Sequence, residues 1–546
     1  MKTYPAISAL FAAALFVAAP FQTAFAGSAT WNLNPTSGDW NTAANWTPAT
    51  IPNGPSDVAT LDVSNTTGVT LSATTQVNGI VFSPDASAYT INVTSGILSL
   101  TVGGIGVVNG SAMTQNFVID TGGTIFFQNS TTIGSGIVFT IFGAHDNRGQ
   151  GDIIFSDTSS AGNATFVSEP GTFSQSGTGA ILFHDSSTAG NGTFICNGAS
   201  VPGAGPGYIE FDGASTAGTG TFTCNGGTAA LASGGAIAFN TSGASATFII
   251  NGSAAEGAYP GVLNFSEGNL EDATVIANGS VTGGSGGLLY FYGTSHGDRA
   301  RVELSGNAVL DISAHERTKM TIGSLSGSGF VHLGRNILSV GSNNLSTTFS
   351  GVIQDGGTLE KTGGSKLTLS NANTYGGGTT VSHGGLLIRN SSGSGTGTGP
   401  VHVKMGSLGG TGIIAGAVTL GTGAGRGALL APGSRVSLGT LTIQSTITFM
   451  ADATYDFALN SSRGAADEVV ASGVTINNAT LSYVDNGTAV LSSGTTFTVI
   501  SNTAATPISG AFSNLPDGGT ITIGSNTFQA NYEGGDGNDL TLTVVP

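Results

Sequence analysis

A pair of short β segments recurs at a nearly fixed spacing between residues 139 and 312. The spacing is 28 residues in the first repeats and shortens to 26 or 27 further along the chain. A period in this range is typical of solenoids, in which each repeat buries its core only against its neighbours. The first segment carries a Phe at positions 166, 194, 222 and 248, and the second ends in a Phe at positions 155, 183, 211, 239, 265 and 291.

The two β segments of each repeat are about 11 residues apart and are joined by turns rich in Gly, Ser and Asn. Side chains two positions apart on a strand point to the same face of the sheet. The Phe and the residue two positions after it therefore predict a buried core of stacked Phe, Ile, Cys and Ala, with Thr and Ser facing outward. The pattern predicts an all-β β-solenoid with repeats of about 27 residues over positions 61–319.

Charged residues are scarce and mostly acidic. They make up 8% of the chain, with 14 Lys and Arg among 546 residues and a formal net charge of −17. Binding to nucleic acid or to an anionic membrane depends on clustered basic side chains. The composition therefore argues against both kinds of partner. Apolar residues alternate with small polar ones in most segments, which argues against a disordered chain.

The N-terminus has the pattern of a secretory signal. Lys2 supplies a positive charge, residues 6–19 are apolar, and residues 24–26 form an Ala-Phe-Ala cleavage site before Gly27. The apolar run is shorter than a membrane-spanning helix requires, and no second run of spanning length follows. We predict that residues 1–26 are a signal peptide and that the mature chain has no transmembrane segment. The protein is then exported to the cell surface or the extracellular space, with the periplasm as a further location.

Two cysteines, Cys196 and Cys224, occupy the same place in successive repeats. Neighbouring strands lie about 4.8 Å apart, which is within the Cα separation of a disulfide. The matching positions in other repeats hold small or apolar residues, so a ladder of buried thiols is the alternative to a disulfide. No His lies beside the two cysteines in the repeat, so we predict no metal site there.

All three tryptophans, Trp31, Trp40 and Trp46, lie within residues 27–60. The first rung of a solenoid has to be covered, because it otherwise exposes a sheet edge and the core. We predict that residues 27–60 form an N-terminal cap around these side chains. The alternative is a platform on which sugar rings stack.

A different repeat occupies residues 320–432, where positions 367–388 read LTLSNANTYGGGTTVSHGGLLI. This run closely resembles the autotransporter-associated β-strand repeat of bacterial passenger domains, and residues 433–546 resemble the β segment that follows it. The resemblance implies a right-handed parallel β-helix, with Asn373 and the glycines after it in sharp turns of positive φ. We expect the C-terminal autotransporter β-barrel to be lacking, since the chain ends at Pro546.

Acidic side chains are the candidate site residues, because parallel β-helices also include enzymes that act on polysaccharides. Asp157 and Asp185 lie one repeat apart, and Glu210 and Asp212 flank a core Phe. Such acids suit a Ca²⁺ site or an acid/base pair, but they are also typical of solvated turns. We expect the turn role.

Two further patterns are only weak indications of a functional site. Residues 534–539 resemble one copy of a Ca²⁺-binding nonapeptide, a motif that needs several stacked copies. His296, His315 and His332 are scattered without the spacing of metal ligands. We predict no catalytic residue, no metal ligand and no cofactor.

These patterns predict an exported, non-catalytic structural or adhesion protein. Its repeated outward-facing polar residues would make weak contacts with surface glycans or other extracellular proteins. The alternative is a β-helical protein that degrades or binds polysaccharide, with or without Ca²⁺.

Overall fold

The computed structural model describes residues 27–94, 98–120, 122–145, 149–316, 318–425, 427–433 and 437–546. The predicted signal peptide, residues 1–26, lies outside the described residues. The described chain is a β-solenoid of about 17 turns with 1% helix, which confirms the predicted all-β, parallel β-helical class. Its one 3-10 helix among the described residues is Ala43–Asn45.

The first long sheet, named sheet A, has 15 strands. Its first two strands pair antiparallel, and every later pair is parallel and in register with the repeat. In spatial order the strands are Trp46–Thr47, Ala29–Trp31, Val58–Leu61, Thr75–Phe82, Ser99–Asn109, Thr124–Phe127, Asp152–Phe155, Ala180–Phe183, Tyr208–Phe211, Ala236–Phe239, Val262–Phe265, Leu288–Phe291, Val309–Asp311, Phe330–His332 and Val352–Gln354.

The second sheet, named sheet B, runs alongside sheet A and continues to residue 485. Its strands pair in parallel, apart from the short strand Ala465–Ala466, which pairs antiparallel with its neighbour. The parallel strands are Gly68–Thr70, Thr90–Val93, Gln115–Ile119, Ile137–Ile141, Thr165–Ser168, Thr193–Cys196, Thr221–Cys224, Thr247–Ile250, Thr274–Ala277, Arg301–Leu304, Ser324–Gly327, Thr347–Phe349, Lys366–Leu369, Gly385–Ile388, Gly406–Gly410, Ala428–Pro432, Ala453–Asn460 and Thr480–Asp485.

Two more sheets belong to the C-terminal part. Sheet C is parallel and consists of Lys319–Ile322, Ile337–Val340, Thr358–Lys361, Thr379–Val381, Val401–Val403, Val418–Leu420, Ile447–Phe449, Val474–Asn477 and Ser509–Ala511. Sheet D begins parallel and ends antiparallel, with Ile413–Ile414, Thr440–Ile443, Glu468–Ala471, Thr496–Asn502, Asp539–Val545, Asn526–Gly534 and Thr520–Ile523.

Phenylalanines from sheets A and B form two stacks inside the solenoid. In sheet A the ring of Phe183 lies 4.5 Å from that of Phe211, with the ring planes 3° apart. In sheet B, Phe166 and Phe194 are 4.9 Å apart at 6°. The two stacks meet edge to face, as between Phe183 and Phe194 at 5.7 Å and 74°. Because identical residues are in register on strands one spacing apart, their rings stack, and the predicted core is confirmed.

The cross-section changes at the strand Lys319–Ile322. Before it, the third side of each rung is held by a single bridge residue, such as Ser160 against Thr188. From this strand onward sheet C forms the third side, and the rungs shorten, so that Leu369 and its register partner Ile388 are 19 residues apart. The predicted boundary at 320 lies at this change. All the predicted boundaries stay predictions.

The three tryptophans fill the N-terminal end of the core. Trp46 packs edge to face against Trp31 and against Trp40, with ring centroids 5.0 Å apart in both pairs. The strand Trp46–Thr47 covers the free edge of Ala29–Trp31 by antiparallel pairing. All three rings are buried, so they present no face on which a sugar could stack. This arrangement supports the cap and argues against the sugar platform.

The expectation that Asn373 adopts a positive φ is wrong, although Gly378 and Gly384 after it do adopt one. Asn373 is buried, and its side chain links three rungs. Its Oδ1 accepts the N–H of Ile353 at 2.8 Å, and its Nδ2 donates to the carbonyl of Gly395 at 2.7 Å. A buried amide with such partners satisfies backbone groups that the loop would otherwise leave without a hydrogen bond.

The buried carboxylate of Asp467 makes the stability of the C-terminal rungs depend on pH. It accepts N–H groups from Gly439 and Ala458, but burial raises its pKa to about 7, and the Asp456 carboxylate adds to the rise. A raised folded-state pKa means that stability is highest at low pH and falls as pH rises from about 4 to about 7. We expect a loss of about 1–2 kcal/mol in urea unfolding across this range after allowance for solvent screening.

The control for this effect is Asp467→Asn, which cannot ionise. Its absolute stability will also change, so the informative quantity is the slope of stability against pH. We expect a shallower fall than in the unmodified protein. The fall will not vanish, because burial also raises the pKa of Asp152, to about 6, with the same sign. Equal slopes in the two proteins would contradict the assignment to Asp467.

Candidate functional site

Asp157 and Asp185 belong to a ladder of left-handed turns. Their φ angles are 56° and 54°, and the ladder continues with Asn129 at 56° and Gly213 at 69°. Asn, Asp and Gly are the residues that adopt this region most readily. The carboxylate of Asp185 accepts the N–H of Asp157 at 3.0 Å, and that of Asp157 accepts the N–H of Asn129 at 2.8 Å. Both acids therefore stabilise stacked turns, which favours the structural interpretation.

Glu210 and Asp212 also bind groups of their own surroundings. Glu210 accepts the Tyr208 hydroxyl at 3.1 Å, and Asp212 accepts the N–H of Gly213 at 2.6 Å. Burial, and then the Glu210 carboxylate, raise the pKa of Tyr208 above its usual value. Within the described residues, no three His, Cys, Asp or Glu side chains converge as a metal ion would require. The predicted lack of a metal or catalytic site stays a prediction.

Residues 534–539 form the turn between the strands Asn526–Gly534 and Asp539–Val545. Gly534 and Asp539 are antiparallel partners across it. The Asp539 carboxylate accepts the N–H of Asn502 at 2.8 Å. The segment is therefore a hairpin turn, and its resemblance to a Ca²⁺-binding nonapeptide does not extend to stacked parallel loops.

The three histidines have separate structural surroundings. Nε2 of His315 lies 2.7 Å from the carbonyl oxygen of Ser295. Nδ1 of His332 lies 3.5 Å from the carboxylate of Asp355. His296 forms a β-bridge with the preceding rung. None of these contacts brings two of the histidines to one ligand.

Cys196 and Cys224 are register partners in sheet B, and both are buried with free thiols. Burial raises the pKa of the Cys224 thiol, and a hydrogen bond with Cys196 adds to the rise. In-register side chains stay about one strand spacing apart, whereas the Cβ atoms of a disulfide lie about 3.5–4.5 Å apart. The geometry favours the thiol ladder, and the disulfide stays a prediction.

Four loops leave sheet B directly after a strand and build a side lobe on the solenoid. Each begins at an Asn whose carbonyl accepts an N–H from the Gly where the loop returns, at 2.8 or 2.9 Å. The loops cover residues 197–207, 225–235, 251–261 and 278–287. Since each hydrogen bond closes its loop at the base, the four loops stack with the period of the strands.

The side chains of these four asparagines form a continuous hydrogen-bonded row, named the asparagine ladder. Each Nδ2 donates to the Oδ1 of the preceding rung, from Asn225 to Asn197 at 2.9 Å, and the next two bonds are 2.8 Å long. Ser305 ends the row by donating to Asn278 at 3.2 Å. All the bonds point in one direction. The ladder consists of Asn197, Asn225, Asn251 and Asn278.

A groove of about 860 Å³, named the asparagine groove, runs along this ladder. Its lining includes Glu169 at one end, Ser305 at the other, and Thr228, Ala254 and Val281 on the exposed loops. Val281 is 92% exposed. Of the lining residues, which all lie in the described ranges, Glu169 alone carries a charge. The groove is therefore long, open and almost neutral.

Glycines beside the ladder let the rungs approach each other. A Cβ on Gly226 would lie 2.4 Å from the carbonyl oxygen of Gly252, which is too close for any other residue. The Asn-Gly pair thus has two roles, because the Asn supplies the ladder and the Gly permits its spacing.

Ser253 adds a buried polar group to the groove. The residue is 1% exposed, and its Oγ has no hydrogen-bond partner. A buried hydroxyl without a partner costs free energy that a bound polar ligand or an ordered water recovers.

The sequence patterns used above do not identify the asparagine ladder. The signal is present, since an Asn-Gly pair follows the core position of four successive repeats at spacings of 28, 26 and 27 residues. Asn-Gly is a strong turn signal, so each pair taken alone predicts only a loop. Their shared period is the feature that predicts a common face.

One segment of the chain, outside the asparagine groove, matches a known family model. Residues 359–388 match the model of the passenger-associated transport repeat. Over this segment the chain is similar to the passengers of autotransporters. It is 37% identical over 108 residues to the adhesin BmaC autotransporter of Brucella suis biovar 1 (strain 1330), a match that covers 18% of this chain and 3% of that protein. This chain thus spans a small fraction of that relative's length.

A solved structure, the Hap adhesin of Haemophilus influenzae, aligns with a TM-score of 0.25 and 12% identity, covering 90% of this chain and 63% of that one. The match to the passenger-associated transport repeat indicates an exported protein of the cell surface or the extracellular space. Within the described ranges, no helix has the length and apolar character needed for a membrane crossing. The periplasm stays a prediction.

Proposed function

We propose that this passenger-like protein is a non-catalytic adhesin whose asparagine groove binds surface glycans. The observation that carries the proposal is the asparagine ladder itself, because it presents the same amide on four successive rungs of an open groove. Amides both donate and accept hydrogen bonds, as sugar hydroxyls do. Repetition along the groove lets several weak contacts add up on one polymer.

The surroundings of the ladder also support binding without catalysis. The one carboxylate of the lining, Glu169, lies at an end of the groove, and no second acid among the lining residues stands opposite it. Glycoside hydrolysis generally requires two carboxylates flanking one bond. The turn acids Asp157 and Asp185 are bonded to backbone N–H groups. These contacts favour the adhesin over the polysaccharide-degrading alternative.

The test is binding of the purified protein to a panel of immobilised glycans, with and without Ca²⁺. We expect the double variant Asn225→Ala and Asn251→Ala to bind its glycans about tenfold more weakly or worse, since two ladder amides are lost. Chemical denaturation of both proteins reports any loss of folding. Release of shortened sugars from a bound glycan would refute the non-catalytic proposal.

The chain offers a matched control outside the groove. Asn191 donates through Nδ2 to Oδ1 of Asn163 at 3.1 Å, so this pair has the same one-rung hydrogen bond on a different, exposed surface. The double variant Asn163→Ala and Asn191→Ala should bind glycans as the unmodified protein does. Equal losses in both double variants would mean that the groove is not the binding surface.

A further inference from the structure

We propose that the asparagine groove holds a linear, uncharged polysaccharide lengthwise, parallel to the solenoid axis, with about one sugar residue opposite each rung. The inference rests on the proposed function and names the class of glycan and its orientation. It follows from the period of the groove, its charge and its unused hydrogen-bonding groups.

The period of the groove matches an extended sugar chain. The position directly after each strand holds Glu169 on the first rung of the groove, an asparagine on the next four and Ser305 on the last. These six rungs give five spacings of about 4.8 Å, or about 24 Å in all. One strand spacing is close to the length of a hexopyranose residue in an extended β-linked chain. A chain lying along the groove would therefore meet the same amide at four successive residues, whereas a chain lying across it would meet one rung.

The charge of the groove selects against acidic glycans. The lining residues include no Lys, Arg or His, and Glu169 is acidic. Uronates, sulfates and phosphates are recognised through Arg and Lys, which neutralise their charge. A neutral chain needs no such partner. The net charge of −17 on the whole chain would oppose an anionic polymer further.

The unused hydrogen-bonding groups of the ladder all have the same orientation. An Asn side chain has two N–H donors and two acceptor sites, and the ladder uses one donor and one acceptor on Asn225 and on Asn251. One donor and one acceptor on each amide are then left for hydroxyl groups. Since the ladder has one direction, successive rungs offer the same groups in the same order, and a bound chain takes one polarity.

Ala254, an exposed loop residue, lies at the middle of the groove. The partnerless Ser253 hydroxyl lies beside Ala254 on the third of the four loops. Ala254 is exposed, so a large side chain at this position would fill the groove without entering the core. This position provides a variant that blocks a lengthwise ligand at its centre and leaves the fold intact.

The experiment measures the affinity of the protein for defined oligosaccharides from the dimer to the hexamer. The probes are cello-oligosaccharides and chito-oligosaccharides as neutral chains, and oligogalacturonates as charged ones. For at least one neutral series, we expect about threefold to tenfold tighter binding for each added residue, with a plateau once the groove is filled. The oligogalacturonates should bind at least about tenfold more weakly at equal length.

Two variants and one control variant locate the bound chain. Ala254→Trp should abolish the gain from dimer to hexamer, because it divides the groove, while weak dimer binding persists. Asn251→Ala should weaken hexamer binding more than dimer binding, and Asn191→Ala should change neither. If the loss of a ladder amide disturbs folding, Ala254→Trp still tests the proposal, because Ala254 is exposed and its replacement does not affect the core.

The outcomes separate the two proposals. If glycans bind in the groove but affinity does not depend on length, or if oligogalacturonates bind best, the lengthwise neutral chain is wrong and the adhesin proposal stands. If neither the panel nor any oligosaccharide binds, both proposals fail. If Ala254→Trp leaves the affinity unchanged at every length, the ligand lies elsewhere and the groove is not the binding site.

Discussion

Replacing Phe194 with Ala is expected to lower the free energy of unfolding by about 3–5 kcal/mol, the range measured for large buried aromatic side chains. The ring is fully buried, 4.9 Å from Phe166 and 4.7 Å from Phe222, and meets Phe183 edge to face. Its removal leaves a cavity that the neighbours cannot fill, because each is fixed by its own rung. Urea unfolding and hydrogen exchange of the adjacent rungs measure the loss.

The adjacent residue supplies the control for this cavity. Thr193 lies on the same strand, faces outward and is exposed. Thr193→Ala should change the unfolding free energy by no more than about 0.5 kcal/mol, as is usual at surface positions. Because rungs couple mainly to their neighbours, the Phe194 variant should lose exchange protection most strongly in the rungs of Phe166 and Phe222. A loss spread evenly over the chain would contradict the nearest-neighbour picture.

The core of the solenoid could be predicted because large apolar side chains recur with the period of the rungs. A Phe every 28 residues leaves few alternatives, since shifting a strand by one residue would turn every ring to solvent. The partner of each ring follows from the same period, and Phe166, Phe194 and Phe222 are register partners in sequence order. The change to three sheets at residue 319 was predicted only as a change in repeat, because strand length and spacing do not fix the number of faces.

The site was harder to predict because turn residues have several structural roles. Asp157 and Asp185 adopt left-handed turns, Asn373 bridges rungs with a buried side chain, and Asn225 joins a hydrogen-bonded ladder. All are small polar residues beside Gly or after a strand. Local sequence cannot separate these roles, because each depends on what the neighbouring rung places within hydrogen-bond distance.

Replacing Gly162 with Ala is expected to lower the free energy of unfolding by about 2–4 kcal/mol. Gly162 has a φ of 60°, a region that costs a residue with a Cβ about 1 kcal/mol. A Cβ on Gly162 would also lie 1.8 Å from the carbonyl oxygen of Ile133 on the preceding rung. Since that oxygen belongs to the backbone, the rungs themselves would have to separate. Urea unfolding and hydrogen exchange near Ile133 measure the effect.

Gly464 separates the two causes of this loss. Its φ is 61°, almost equal to that of Gly162, but an added Cβ would meet no atom within 4 Å. Gly464→Ala therefore carries the cost of the left-handed backbone alone, about 1 kcal/mol. The difference between the two variants measures the cost of forcing two rungs apart. If both variants lose the same stability, contact between rungs at Gly162 does not limit the spacing of the ladder, and its glycine serves only the turn.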